Sequence, residues 1–228
     1  MASNRSFSVK IPTAIPNLYL RTPQPTDHDA KALSEMFGHK FNIRFEPERP
    51  GSKEPTPDLY MERIPAWLEM AEKGQNCFCL IALGSEEASE EDEIIGFGGL
   101  NELITKPTSD GEGKMKFANI GVMLHEPYTG KGYAMAALHA TIEACFERFG
   151  VDVVEADTFA INEPFRGLMK KLKLEQYSKV VSEEGPGEVL YSFNKSQWNG
   201  CPMRNCLLVK AFQRSISKKP SKSEHSKK

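Results

Sequence analysis

One six-residue segment contains the residue types that could bind a phosphate group: Thr129-Gly130-Lys131-Gly132-Tyr133-Ala134. It follows an apolar run over residues 120–124. Apolar residues then recur every three or four positions, at Met135, Leu138, Ile142, Phe146 and Phe149. That spacing predicts an amphipathic helix packed on a sheet. The glycines should therefore lie at a helix start, where unpaired backbone N–H groups and the helix dipole favour an anion.

Two familiar phosphate motifs do not fit this segment. A P-loop requires glycine five residues before Gly130, where His125 stands, and Ser or Thr after the lysine, where Gly132 stands. The dinucleotide spacing G-x-G-x-x-G also fails, because Met135 occupies the position of its third glycine. A simple tight turn before the helix remains the alternative interpretation.

The same segment, with Asn162 after the next predicted strand, resembles the acetyl-CoA signature of the GNAT superfamily of N-acetyltransferases. It is most similar to the branch that contains the ribosomal-protein alanine acetyltransferases. The family pattern is Gln or Arg, two residues, Gly, one residue, then Gly or Ala. Gly132 and Ala134 match it, whereas Thr129 stands at the leading position. The resemblance covers roughly residues 18–199.

The resemblance implies a GNAT fold of the α/β (α+β) class. This fold has a mixed central sheet of about seven strands, splayed central parallel strands and flanking helices. The sequence patterns predict strands over 18–21, 77–83, 93–100, 116–124, 151–159, 174–181 and 188–193. Further helices are predicted over 28–38, 58–73 and 164–173. Because the helix after the glycine loop connects 116–124 to 151–159, these two strands should be parallel.

Composition limits the class of protein. The 228 residues are 39% hydrophobic and 26% charged, which is typical of a soluble globular domain, and no apolar run is long enough to cross a bilayer. We expect an N-terminal arm (1–17), one GNAT domain (18–199) and a C-terminal extension (200–228). The five cysteines and the absence of a signal peptide indicate a cytoplasmic protein, with the nucleus as an alternative.

The predicted partners follow from composition and resemblance. No His/Cys cluster has metal-ligand spacing, so no metal is expected. The basic residues of 214–228 could contact an anionic surface, but the net charge of −2 disfavours nucleic acid as a partner. No membrane contact is expected, and the protein should be a monomer or homodimer.

The resemblance also implies how acetyl-CoA would bind. The pantetheine arm would lie between the splayed strands, beside Val122, Met123 and Leu124. Asn162 would bond the arm near its amides. Backbone N–H groups of the loop and the first helical turn would hold the pyrophosphate, at Gly130, Lys131, Gly132, Tyr133, Ala134 and Met135. For Lys131, a solvent-facing side chain is the alternative.

Asp157 and Asn119 are the main candidates for the catalytic side chain, and the further candidates are Tyr177, His125, Glu102 and Glu126. Asp157 stands five residues before Asn162, where family members of the alanine-acetylating type carry a glutamate as general base. Asn119 occupies a position that is often acidic in this branch. The alternative is that Asp157 lies on a solvent face or in an ion pair. Met169 stands near the place of the tyrosine that serves as acid in many members, and a thioether cannot replace it.

The acceptor side is less defined. In the family, the segment over residues 41–57 and the following helix overhang the acceptor, so the candidate substrate contacts are Phe41, Arg44, Phe45 and Trp67. Core packing or a surface ion pair would explain these side chains equally well. The predicted function is transfer of an acetyl group from acetyl-CoA to a primary amine, either a small molecule, which we favour, or a protein N-terminus. The alternative is a catalytically silent acyl-CoA-binding module, suggested by Thr129 and Met169.

Overall fold

The computed structural model describes residues 7–45, 53–84, 92–108 and 110–202. Eight strands form one sheet in the order β1-β2-β3-β4-β5-β6-β8-β7. Their bounds are β1 Lys10–Pro12, β2 Leu18–Arg21, β3 Cys77–Leu83, β4 Glu93–Pro107, β5 Lys114–Leu124, β6 Val153–Phe159, β7 Ser178–Ser182 and β8 Glu188–Asn194. The helices are α1 Asp27–Gly38, α2 Pro57–Glu72, α3 Tyr133–Glu147, α4 Glu163–Lys171 and α5 Lys195–Asn199.

The sheet confirms the predicted topology and adds to it. Among the strand pairs of the described residues, only β5 and β6 run parallel, and α3 connects them as expected. The eighth strand is β1, which lies in the predicted N-terminal arm and pairs with β2 from Lys10 to Pro12. Three residues ending in proline give no readable alternation, so sequence alone could not find it. The division of the chain at residue 18 stays a prediction.

Some element bounds differ from those predicted. Strand β4 runs seven residues past the predicted end at Leu100, because its pairing with β5 continues to Pro107 opposite Lys114. Strand β7 begins at Ser178, after a 3₁₀ turn over Glu175–Tyr177. Helix α5 was not predicted. Three parts of the chain lie outside the described residues: the acidic segment 85–91, residues 46–52 of the segment expected to overhang the acceptor, and the basic tail.

Two apolar cores lie on opposite faces of the sheet. The larger core packs α3 and α4 against strand residues such as Ala118, Ile120 and Val154. The smaller core packs α1 and α2 against Leu80 and Phe97. Odd-numbered residues of β5 and β6 therefore face the α1/α2 side, because successive side chains alternate between faces. In the described residues, no helix is both long and apolar enough to span a membrane.

A buried ion pair fixes α1 to the sheet. The Arg21 guanidinium of β2 donates two hydrogen bonds of 2.6 Å to the two carboxylate oxygens of Asp29 in the first turn of α1. The Gln24 backbone N–H donates to the same carboxylate at 2.7 Å. Both charged residues are buried. The start of α1 therefore cannot leave β2 without breaking this buried ion pair.

Helix α4 ends in a Schellman motif with an unusual residue. The N–H of Leu174 donates to Met169 O, and the N–H of Lys173 donates to Lys170 O, both at 3.0 Å. Lys173 has a φ of 61°, in the left-handed region that glycine adopts at least cost. Glycine is the residue that usually occupies this position of the motif. This chain keeps the geometry but places lysine in the strained position.

We predict that Lys173→Gly stabilises the protein by about 0.5–1 kcal/mol, because it removes the strain of a side chain at positive φ. Lys173→Ala removes the same charge and keeps the strain, so it is the matched control and should give no gain. Urea unfolding of both variants measures the difference. Equal stability of the two variants would contradict the prediction.

Candidate active site

The central strands separate after a short parallel pairing. Strands β5 and β6 pair at Phe117 with Val153, Ala118 with Val154 and Asn119 with Glu155. Beyond these pairs, residues 120–124 of β5 pair only with β4, and residues 156–159 of β6 pair only with β8. Each strand therefore turns one unpaired backbone edge toward the gap. An extended ligand with amide groups could bond to these edges as an added strand does.

Val122, Met123 and Leu124 lie on the β5 side of this gap, as the resemblance implied. Val122 and Leu124 pack on the larger core beneath α3, and all three residues are half-buried. By alternation, Met123 faces the α1/α2 side. The backbone of this segment is thus held by packing on one face while its edge toward β6 stays unpaired.

The glycine loop lies at the start of α3 and fits an anion. Gly130 and Gly132 have φ values of 74° and 85°, and a Cβ added to either would meet no atom within 4 Å. Gly132 is the N-cap, no side chain caps the helix, and its first turn contains no acidic residue. The N–H groups of Tyr133, Ala134 and Met135 have no acceptor within the helix. These groups could hold a pyrophosphate.

Lys131 is exposed and bends back over the turn before the loop. Its Nζ lies 5.2 Å from the ring centroid of Tyr128, in a cation–π contact. The Tyr128 hydroxyl donates a hydrogen bond to Glu93, which, together with partial burial, raises the pKa of Tyr128 to about 12. Thr129 donates through Oγ1 to Glu126 O at 2.9 Å, so it closes the 3₁₀ turn over Glu126–Tyr128.

Asn162 follows β6 and caps α4. Its Oδ1 accepts from the Phe165 N–H at 3.2 Å, and its Nδ2 donates to Thr158 Oγ1 at 2.9 Å. These bonds fix the side chain at the C-terminal end of β6, beside the gap. One hydrogen of Nδ2 remains for a ligand, since an amide nitrogen has two.

The two catalytic candidates meet across the mouth of the gap. Asn119 of β5 donates through Nδ2 to a carboxylate oxygen of Asp157 on β6. Asn101 of β4 in turn donates through Nδ2 to Asn119 Oδ1 at 2.9 Å. Asp157 is exposed, and the second oxygen of its carboxylate has no hydrogen-bond partner in the described part of the chain. A carboxylate in this position could accept a proton from an incoming amine.

The predicted acceptor contacts form two separate groups. Arg44 stacks between Phe41 and Phe45, with its guanidinium carbon 3.7 Å and 4.6 Å from the two ring centroids. Trp67 of α2 packs instead in the smaller core, 5.0 Å from Phe78 and 5.8 Å from Phe97 between ring centroids. The described contacts do not bring Trp67 together with the first three residues. All four roles stay predictions.

A side-chain hydrogen bond at the end of β5 was not predicted from the sequence. Asn42, which is buried, donates through Nδ2 both to Met36 O at 3.0 Å and to His125 Nδ1 at 2.9 Å. Because Met36 O can only accept, the amide orientation is fixed, and His125 Nδ1 must accept. The proton of this imidazole is thus on Nε2. The contact joins residues 83 positions apart, so no local signal could have revealed it.

Met169 cannot replace the missing acid. It is fully buried in the larger core, where it packs with the end of α4. Within the described residues, no group of three or more His, Cys, Asp or Glu side chains is placed to hold a metal ion. In the described residues, Asn101, Asn119 and Asp157 are polar side chains that contact one another at the mouth of the gap.

Comparison with known families agrees with this geometry. The family model described as "Acetyltransferase (GNAT) domain" matches residues 17–175, about two thirds of the chain. The chain therefore belongs to the GNAT family. It is an acetyl-CoA-dependent N-acetyltransferase, and the family assignment favours the enzyme over a silent acyl-CoA-binding module.

Several solved structures share the fold at low identity. The ribosomal-protein-S5-alanine acetyltransferase from Vibrio fischeri is 18% identical with a TM-score of 0.63, over 83% of this chain and 98% of that one. Mycobacterium smegmatis RimJ, solved with CoA-disulfide, is 16% identical with a TM-score of 0.62, over 93% and 95%. The apo form of FdhC, a nucleotide-linked sugar GNAT, is 16% identical with a TM-score of 0.60, over 87% and 97%. Comparison with curated protein sequences gave no match.

Proposed function

We propose that acetyl-CoA binds in the gap between β5 and β6 and that a primary amine attacks its thioester from the α1/α2 side, with Asp157 as the general base. The observation that supports this proposal is the joint position of the strand gap, the uncapped start of α3 and the Asp157 carboxylate. A ligand with a pyrophosphate at one end and amides along its arm matches the uncapped start of α3 and the strand gap. The Asp157 carboxylate matches the thioester end of that ligand, where the reaction takes place.

On the donor side, the N–H groups of the first turn of α3 hold the pyrophosphate. The pantetheine arm lies along residues 122–124, and Asn162 bonds one of its amides with the remaining Nδ2 hydrogen. Backbone N–H groups near Val122 and Met123 stabilise the oxyanion that forms on the thioester carbonyl. Holding the thioester beside the amine supplies much of the acceleration, on the order of 7–11 kcal/mol in well-oriented cases.

On the acceptor side, the amine nitrogen attacks the carbonyl carbon and the carbon–sulfur bond breaks. The amine loses one proton to Asp157, directly or through one water, and the thiolate of coenzyme A takes up a proton. Asn119 holds the Asp157 carboxylate toward the gap throughout. Phe41, Arg44, Phe45 and Trp67 are proposed to line the approach.

The acceptor is proposed to be either a small amine or a peptide N-terminus. Relatives with this fold include a ribosomal-protein alanine acetyltransferase and a nucleotide-linked sugar GNAT, so the fold alone does not choose between the two. We further propose a cytoplasmic monomer or homodimer; the four described cysteines, all unpaired, support a reducing compartment. The nuclear alternative and contact of the basic tail with nucleic acid concern residues outside the described part of the chain.

A thiol-release assay tests this function. Purified protein and acetyl-CoA are incubated with two panels, one of small amines and aminosugars and one of short peptides with free N-termini. Coenzyme A release that depends on one panel identifies the acceptor class, and mass spectrometry locates the acetyl group on nitrogen. Binding of acetyl-CoA without turnover on either panel would contradict the proposed catalysis.

A further inference from the structure

Asn101 lies at an irregularity of β4 beside the proposed site. In the pairing of β4 with β5, Leu100 opposes Ile120 and Glu102 opposes Asn119, so Asn101 is the extra residue of a β-bulge. Bulges bend a strand and redirect a side chain, and they are frequent next to active sites. Here the bulge places the Asn101 amide on the face where Asn119 and Asp157 meet.

Chemistry fixes the direction of the hydrogen bonds through these three residues. The Asp157 carboxylate can only accept, so Asn119 must turn its Nδ2 toward it. The Oδ1 of Asn119 then points the other way, and only a donor can satisfy it. Asn101 supplies that donor through Nδ2 at 2.9 Å. The orientation of both amides therefore follows from the carboxylate.

Gly121 makes space for this arrangement. It is the next residue after Asn119 on the same face of β5, and a Cβ added there would lie 3.0 Å from Asn101 Nδ2. A residue with a side chain at 121 would require the Asn101 amide to move by a few tenths of an ångström. The bulge, the glycine and the two amides thus form one connected arrangement on three neighbouring strands.

We infer that Asn101 is a positioning residue: through Asn119 it holds the Asp157 carboxylate at the mouth of the strand gap, with one oxygen bonded and the other turned to the acceptor. This inference rests on the proposed role of Asp157. Asn101 itself touches neither substrate nor cofactor in this account. Its effect is to keep the Asn119 carbonyl away from the carboxylate.

Other charged groups lie on the same face. Glu155 precedes Asp157 by two residues on β6, and Glu102 opposes Asn119 on β4. Lys179 of β7 lies two strands from Asp157, because both residues pair with Leu190. These groups remain in place in an Asn101 variant, so a change in pH dependence can be assigned to the Asn101–Asn119–Asp157 arrangement.

Two variants test the inference. Asn101→Ala removes the donor, and we expect kcat to fall about five- to tenfold, the effect of one lost hydrogen bond, with little change in KM for acetyl-CoA. Asn101→Asp keeps the size but offers an acceptor, so the Asn119 amide should turn its carbonyl to Asp157. The acidic limb of the pH profile of kcat/KM should then move to higher pH by about one pH unit. The reason is that the Asp157 carboxylate loses a hydrogen-bond donor and gains the negative charge of the new carboxylate at position 101 nearby.

A second readout does not depend on activity. The side-chain NH₂ resonances of Asn119 in the folded, full-length protein report on its two partners, and both variants should shift them. If the wild type turns over no amine, the proposed function fails, while these resonances still decide whether Asn101 orients Asn119. The inference would be overturned if these resonances did not move in either variant. It would also be overturned if Asn101→Asp lowered kcat but left the acidic limb of the pH profile unchanged.

Discussion

Asp157→Asn should lower kcat for amine acetylation by about 100- to 10,000-fold, the range that general bases contribute. The amide keeps the size of the carboxylate but cannot take a proton from the amine. The KM for acetyl-CoA should change little, because the proposed contacts to the cofactor are backbone groups of β5 and α3. Steady-state kinetics with the best acceptor from the thiol-release assay measure both quantities.

Glu155→Gln is the matched control. Glu155 lies on the same strand and the same face, and it accepts a hydrogen bond from Ser192 Oγ at 3.3 Å. Removing its charge should leave kcat near the wild-type value. If Asp157→Asn retained wild-type kcat, or if both variants lost activity equally, Asp157 would not be the base.

Asp29→Ala and Arg21→Ala should each lower the free energy of unfolding by about 3–5 kcal/mol, because each leaves a buried charge without its hydrogen-bonded partner. In Asp29→Ala, Asp92 remains the acidic neighbour of Arg21, 3.9 Å from its Nε. The exposed pair of Lys31 and Glu35 on the same helix, 3.9 Å apart, provides a control. Glu35→Gln should cost less than about 0.5 kcal/mol. Replacing Arg21 and Asp29 together by apolar residues should cost less than the sum of the single changes, and simple additivity would contradict this account.

The same pair predicts sensitivity to acid. Burial alone would raise the pKa of Asp29, but the hydrogen bonds and charge of Arg21, with the Gln24 N–H, outweigh it and hold the pKa below its usual value. The folded pKa thus lies below the unfolded one, so this stabilisation is complete above about pH 4 and is lost as pH falls through the folded pKa. Unfolding by urea at pH 7 and pH 3 should show a larger loss for the wild type than for Asp29→Ala.

Much of the fold could be predicted from the sequence because the local spacing of apolar residues agrees with the tertiary packing. The apolar residues of α3 recur at helical spacing, and the structure buries them from Ala136 to Phe146. The parallel pairing of β5 and β6 followed from the helix that joins them. The cap of α1 at Thr26 follows a local rule of the same kind, because its hydroxyl accepts from the N–H of Asp29.

The remaining features depend on contacts that sequence does not encode locally. β1 is ordered by pairing with β2 rather than by its own pattern. The bulge at Asn101 exists because β4 and β5 slip by one residue between Leu100 and Glu102, and only the register of the finished sheet reveals it. Asn42 and His125 meet because α1 ends beside the end of β5. The sequence identified the glycine loop, whereas the supporting amides required the structure.

The central claim is that the uncapped start of α3 grips the diphosphate of coenzyme A, and calorimetry tests it most directly. The wild type, Gly132→Asn and Gly132→Asp are titrated with coenzyme A; both substituted residues tolerate the positive φ of this position, and they differ only in charge. We predict binding to the wild type and an affinity for Gly132→Asp lower than that of Gly132→Asn by at least about tenfold, because the carboxylate would face the phosphates. No heat of association with the folded wild type, or equal affinity of the two variants, would contradict the account.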